Sequence, residues 1–240
     1  MTADSVPEAL DPDGHLHVFA YGSLIWKPGF PHVSAHPALL RGYHRRFCIW
    51  SHSYRGTPEA PGLVLGLDRG GACRGVVFRV APDRAAEVLA YLDEREMSGG
   101  VYHRRLLPVR LLDTGEARRA VAFVADRRAG QYCADLAPDA AAAVIARGAG
   151  VMGANRDYLL NTVSHLRELG VRDAGLERIA ALLAASSPDS STGSAGPAGE
   201  SSEVSTGYPQ EGPAGPRSGF KSLIGNTDFY PQAGEPVEKP

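Results

Sequence analysis

The stretch His17-Val-Phe-Ala-Tyr-Gly-Ser-Leu24 opens the folded part of the chain. Its apolar run reads as a short buried strand, and Gly22-Ser23 turns the chain at its end. Working outward, residues 42–50 alternate, with Tyr43, Arg45, Phe47 and Ile49 set against His44, Arg46 and Cys48. That period of two predicts another strand. Residues 63–68 and 74–80 flank Gly70-Gly71, which reads as a hairpin turn. Residues 81–96 form the first strong helical pattern, with Pro82 near the start, where its missing N–H costs nothing. Residues 102–112 and 118–125 are strand-like around a Thr114-Gly115 turn. Helical patterns follow at 138–147, 155–169 and 173–185; in the middle one Leu159, Val163 and Leu166 share a face and Gly170 stops it. Strands with one helix come first and helices last. This order predicts an α+β fold and argues against a Rossmann sheet, which needs regular alternation.

The chain has 240 residues, is 43% apolar and carries a formal net charge of −2. Such an apolar content supports a real core. The near-neutral balance argues against a nucleic-acid binder, and no apolar run approaches the length of a membrane span. Residues 1–14 are acidic and lack the apolar stretch of a secretory leader. With only three scattered cysteines, Cys48, Cys73 and Cys133, the expectation is a cytoplasmic protein with reduced thiols. The averages hide a division. Residues 186–240 hold 8 Pro, 9 Gly and 10 Ser, with three cations against seven acids, a net of −4. The rest of the chain is +2. The expected organisation is one folded domain over residues 15–185 and a low-complexity, disordered tail over 186–240. Within the tail, Phe220, Leu223 and Ile224 are the one patch that suggests weak docking to a partner.

Chemistry concentrates in a few places. Tyr21-Gly-Ser-Leu24 lies where a strand turns sharply, and successive backbone amides there can hold an anion. It is neither a nucleophile elbow nor a phosphate-binding loop. On a helical wheel of about 100° per residue, Glu96 falls between Leu89 and Leu92 on the apolar stripe, while Glu94 points away. A carboxylate on a core-facing stripe is costly unless paired or used. It also sits in the last turn, facing the negative end of the helix dipole. Two broken rules at one residue mark a functional candidate. Gly99-Gly100 lets the chain reverse and return Tyr102 and Arg104 beside Glu96. Residues 51–61 read as a polar loop over a site, with Arg55 able to grip a carboxylate. The pair His15 and His17 lacks a third ligand at metal spacing, and Cys48 and Cys73 read as core residues rather than nucleophiles.

Taken in order, Val18-Phe-Ala-Tyr-Gly-Ser-Leu-Ile-Trp26, Gly42-Tyr-His-Arg-Arg-Phe-Cys48, Tyr54-Arg-Gly-Thr-Pro58, Pro61-Gly-Leu-Val-Leu-Gly-Leu67, Arg95-Glu-Met97 and Asn155-x-x-Tyr158-Leu resemble the ChaC-like proteins. These are γ-glutamylcyclotransferases directed at glutathione, formerly called cation transport regulators. The resemblance runs over residues 18–183. It implies a small mixed β-barrel with helices packed around it. It further implies that Ala20, Tyr21, Gly22, Ser23, Leu24 and Ile25 hold the γ-glutamyl group and that Glu96 is the general base; Arg55 and Tyr102, read above from the loop and the glycine reversal, are the further candidates for binding substrate. The chain departs from many eukaryotic members, which have Arg-Glu-Lys-Gly-Gly-Tyr where this one has Arg95-Glu-Met-Ser-Gly-Gly-Val-Tyr102.

The implied reaction suits the residues. The α-amine of the γ-glutamyl group attacks its own γ-carbonyl, closes a five-membered lactam and expels cysteinylglycine. It calls for no protein nucleophile, metal or cofactor. The expectations are therefore glutathione as substrate, with neither cofactor nor metal, and neither nucleic acid nor membrane insertion. Two other readings stay open: a cyclotransferase for other γ-glutamyl amides, and a non-catalytic regulator of a cation transporter.

Overall fold

A computed structural model of the chain describes residues 6–97, 99–134 and 136–186. The expectations for the tail beyond Ser186, including the Phe220 patch, lie outside the described residues. A short helix α1 (Val6–Ala9) leads into β1 (Leu16–Ala20), a 3₁₀ turn (Ser23–Ile25), β2 (Ser34–Ser51) and β3 (Gly62–Val80). Then come α2 (Ala85–Met97), β4 (Tyr102–Leu111), β5 (Ala117–Ala125) and α3 (Pro138–Arg147). A two-residue hairpin of β6 (Ala149–Gly150) and β7 (Gly153–Ala154), α4 (Asn155–Glu168) and α5 (Ala174–Ala185) complete it. The five long strands close a barrel in the order β1-β3-β2-β4-β5. Every pairing is antiparallel except the closure, where β1 runs parallel to β5 at Val18↔Val121. The expected mixed barrel with surrounding helices is therefore present.

Two elements differ from the sequence reading. Gly70-Gly71 is no hairpin turn: it lies inside β3, which continues for 19 residues. Likewise β2 extends back from the expected 42–50 to Ser34, through Pro37. Both halves of β3 pair with β2, and the register slips between Arg41 and Tyr43. At that slip Gly42, Gly70 and Gly71 have φ of 84°, 100° and 67°. Only glycine adopts such values without strain. The paired glycines act as a bulge that bends one long ribbon, so that it supplies two stretches of barrel wall.

The core joins the barrel interior to the inner faces of the helices. Phe19, Leu40, Leu63, Leu67, Leu89, Leu92, Phe123 and Leu159 are all essentially inaccessible. Each buried leucine of this kind contributes about 1.5–3 kcal/mol relative to exposure. Asn155, the first residue of α4, is fully buried. Its side-chain amide donates to the Leu63 carbonyl and its oxygen accepts from the Leu63 N–H, both at 2.7 Å. The side chain thus behaves as one more strand residue and fixes α4 against β3. Among the described residues no helix is long and apolar enough to cross a membrane.

Candidate functional site

The site forms where β1 ends. Past Ala20, Tyr21 and Gly22 lead into the 3₁₀ turn, whose first backbone bond runs from Ile25 N–H to the Gly22 carbonyl at 2.9 Å. The amides of Ser23 and Leu24 precede that bond and are donors the turn itself does not use. Ala20, Tyr21, Leu24 and Ile25 are buried, and Ser23 is half-buried. One arginine fixes this turn from behind. Arg45 is 6% exposed; its Nε donates to the Tyr21 carbonyl and its Nη2 to the Arg74 carbonyl. Its Nη1 lies 2.9 Å from the Asp173 carboxylate, which also caps α5 through the Leu176 N–H. In a trans peptide the carbonyl and the next N–H point opposite ways. Holding the Tyr21 carbonyl therefore turns the Gly22 amide away from Arg45.

Helix α2 delivers the carboxylate. It continues through Met97, one residue past Glu96, so Glu96 keeps its helical direction and faces inward. Its side chain is 18% exposed. Burial pushes the carboxyl above its ordinary range, and the neighbouring Arg95 charge draws it partly back. Arg95 is the residue that sequence reasoning missed. Its Nε sits 3.1 Å from Glu96 Oε1. Its Nη2 donates to Ser23 Oγ at 3.2 Å, and its Nη1 donates to the Lys27 carbonyl and the Tyr91 hydroxyl. A single guanidinium therefore ties the carboxylate to the turn. A basic residue in a last helical turn normally reads as a partner for the helix dipole, which hid this role.

Three phenols stand within electrostatic reach of Glu96. Burial holds Tyr21 and Tyr102 well above the ordinary phenol range, and pushes Tyr158 up to about 12. All three therefore stay neutral donors at physiological pH. Tyr102 donates to the Leu65 carbonyl at 2.7 Å. Tyr158 packs edge-on against Phe47, centroids 6.0 Å apart, and its hydroxyl lies beside Gly22. The Asn155-x-x-Tyr158 motif was visible in the sequence, but not the place of its tyrosine in this cluster. Gly99-Gly100 does return Tyr102 toward Glu96; Arg104, by contrast, pairs with Asp93 instead.

Among the described residues, Arg55 is held by backbone carbonyls and an aromatic ring. Its Nη1 donates to the Met152 and Ala154 carbonyls, and its guanidinium lies 5.1 Å from the Tyr158 ring centre. The 51–61 loop is thus strapped to the β6–β7 hairpin. Close approach demands glycine there: a Cβ on Gly56 would stand 2.0 Å from the Gly62 nitrogen. A cleft on this strap, lined by His52, Ser53, Thr57, Pro58, Gly150 and Val151, takes no lining from Glu96 or the three tyrosines. Cys48 and Cys73 are core residues as expected, and burial pushes the Cys48 thiol up to about 12, far from a nucleophilic thiolate.

The arrangement offers a raised-pKa carboxylate, a turn of backbone donors and neutral phenols around one point. That set can accept a proton and hold a bent, anionic substrate. A family model described as ChaC-like protein matches residues 16–186. A glutathione-specific γ-glutamylcyclotransferase of Escherichia coli (strain K12) is 35% identical over 189 residues, covering 75% of this chain and 80% of its own. Glutathione-specific γ-glutamylcyclotransferase 1 of Mus musculus is 33% identical over 174 residues, covering 70% and 78%. Among solved structures, a glutathione-specific γ-glutamylcyclotransferase from yeast superposes with a TM-score of 0.65 at 23% identity, over 72% of this chain and 96% of that one.

Proposed function

The chain belongs to the ChaC-like family, and from that premise we propose that it cleaves glutathione to 5-oxoproline and cysteinylglycine, with Glu96 as the proton acceptor. The observation that carries the reading is the Glu96 carboxylate, buried and tied through Arg95 to Ser23 of the turn. The catalytic unit is residues 15–185, and a cytoplasmic setting fits its free thiols.

The α-amine of the substrate has an ordinary pKa near about 8, so much of it is protonated and unreactive at neutral pH. Glu96 takes that proton. A carboxyl raised by burial is a stronger base than an ordinary glutamate, which suits it to take the proton. The freed nitrogen forms its bond to the γ-carbonyl carbon. The oxygen gains charge, which the turn's amides and the hydroxyls of Tyr21 and Tyr158 stabilise. As the C–N bond to cysteinylglycine breaks, the same Glu96 returns its proton to the departing amine, and the ring nitrogen passes its surplus proton to that amine, which leaves as the ammonium. Atoms and charge balance with no outside reagent. The bent posture that brings nitrogen and carbon together is set by the turn, which Arg45 and Arg95 hold from two sides.

The test is purified full-length protein with glutathione, scored for 5-oxoproline, beside Glu96→Gln. The expected loss is roughly 10²- to 10⁴-fold in kcat. An unchanged rate in the variant removes Glu96 from the chemistry. Equal kcat/KM on γ-glutamyl-alanine broadens the substrate to γ-glutamyl amides in general.

A further inference from the structure

One face of the barrel carries charge that nothing among the described residues neutralises. On the outward side, Arg74 of β3, Leu39 of β2, Arg110 of β4 and Ala117 of β5 stand in one row across four strands. One step along the strands, Arg41 stands opposite Ala72 and Arg119 opposite Pro108, while the β2–β4 pairing ends just before, at Leu40↔Val109. The inward neighbours Leu40, Cys73 and Val109 are buried, while Arg41, Arg74, Arg110 and Arg119 are all exposed. Strands lie about 4.8 Å apart and same-face neighbours about 6.7 Å, so each arginine has another on a diagonal at roughly 7–8 Å. That is within the Debye length of about 8 Å at physiological salt. None of the four has a carboxylate partner among the described residues. The acids of the adjoining β4–β5 turn are engaged elsewhere: Asp113 lies 2.7 Å from His36 and Glu116 lies 2.6 Å from Arg118. The side chains between the arginines are short or apolar, so four like charges share one shallow surface.

The sequence supplies the opposite charge. Residues 187–216 contain Asp189, Glu200, Glu203 and Glu211 and no lysine or arginine. This run begins directly after α5, and α5 is rooted beside the face. Asp173 at its start pairs with Arg45, and Arg45 also holds the Arg74 carbonyl. The helix is 12 residues, about 18 Å, long. The run from 187 to 211 is 25 residues long, and a chain of that length can reach up to about 80 Å, more than enough to cover the distance back to the face.

We propose that the arginine face formed by Arg41, Arg74, Arg110 and Arg119 is a docking surface for the acidic segment 189–211 of this chain. Tethering raises the segment to an effective concentration of order millimolar, so individually weak ion pairs hold it without an extensive interface. Hydrogen bonding of carboxylates to guanidinium forks gives the contact its direction. The inference does not depend on the reaction proposed above.

The experiment is arginine modification by phenylglyoxal on the full chain, read site by site by mass spectrometry. Arg84, exposed next to α2, is the internal reference. The comparison is with a variant carrying Asp189→Asn, Glu200→Gln, Glu203→Gln and Glu211→Gln, each at low and high salt. We expect the four face arginines to react at least about threefold faster in the variant at low salt, and high salt to bring the parent chain to the same rate. Equal rates in parent and variant at low salt overturn the proposal. So does protection that appears only when RNA or anionic vesicles are added, which gives the face to an external polyanion.

Discussion

Asp68 of β3 and Glu96 of α2 are both withdrawn from water, and their surroundings push the two carboxyls in opposite directions. Asp68 is 1% exposed. Burial alone would raise it, but hydrogen bonds from Arg127 Nε at 2.7 Å, Tyr132 at 2.8 Å and the Arg69 N–H at 2.8 Å more than offset that, and its carboxyl sits below the ordinary range. Arg46 adds a further charge at 3.5 Å. Among the described residues Glu96 has one cationic partner, and its carboxyl sits above the ordinary range. The difference lies in saturation. A carboxylate whose lone pairs are all occupied is a fixed structural anion. One that keeps a lone pair open in an apolar setting can take up a proton.

The contrast can be broken from either side, and the largest expected effect is on rate. Glu96→Gln should remove about 10²- to 10⁴-fold in kcat while leaving the fold intact. Its stability should even improve relative to the parent as pH rises. A carboxyl raised in the folded state costs stability once it ionises, and the amide carries no such cost. Thermal melts at acid and neutral pH check this sign.

Next comes Asp68→Asn, which should cost about 2–3 kcal/mol of stability at neutral pH with kcat nearly unchanged. A carboxyl depressed in the folded state stabilises fully above the ordinary carboxylate range. That contribution is lost as pH falls through its folded value. The parent and the variant should therefore converge in denaturant midpoint at low pH. A variant with parental stability but lost turnover would reverse the two roles.

Arg95→Gln sharpens the comparison by leaving Glu96 with no cationic partner. The acid limb of the kcat profile should move to higher pH, because the arginine charge is what draws Glu96 back. kcat should also fall about tenfold as Ser23 loses its tether. A limb that stays in place would show that Arg95 acts on the turn alone. The smallest effect belongs to Arg127→Gln. Arg127 is half exposed, and water replaces much of its bond to Asp68, so the cost should be about 0.5–1 kcal/mol.

These two sites were unequally legible. Glu96 could be read because its conflict is local: a charge on an apolar stripe is visible on a wheel. Asp68 could not, since its partners come from residues 46, 69, 127 and 132, and no window contains them. Strands with clean alternation, such as β4 and β5, were found within a residue or two. The first half of β2 was hidden by Pro37, which a sheet tolerates here at the cost of one ladder donor. Gly70-Gly71 misled because paired glycines usually punctuate a hairpin, and only their partner, Gly42, reveals a bulge. Arg45 looked like one basic residue among many; its role depends on a carbonyl 24 residues earlier and a helix cap 128 residues later.

The long β2–β3 ribbon also sets an order for assembly. Its register runs outward without interruption from Ser51↔Gly62 to Ser34↔Arg79, apart from two slips. Once the short 52–61 connection closes, each further pair forms between residues already near one another, so the loop-closure entropy of that wall is met once. The β4–β5 hairpin closes just as locally, from Arg110↔Ala117, but the β1–β3, β2–β4 and β1–β5 pairings must be recruited over greater chain separations, and the parallel contact of Val18 with Val121 spans the greatest of these. Folding of this barrel is thus a zipper followed by a closure. Substitutions near Ser51 and Gly62 should slow the refolding limb, and those at the β1–β5 seam should chiefly speed unfolding.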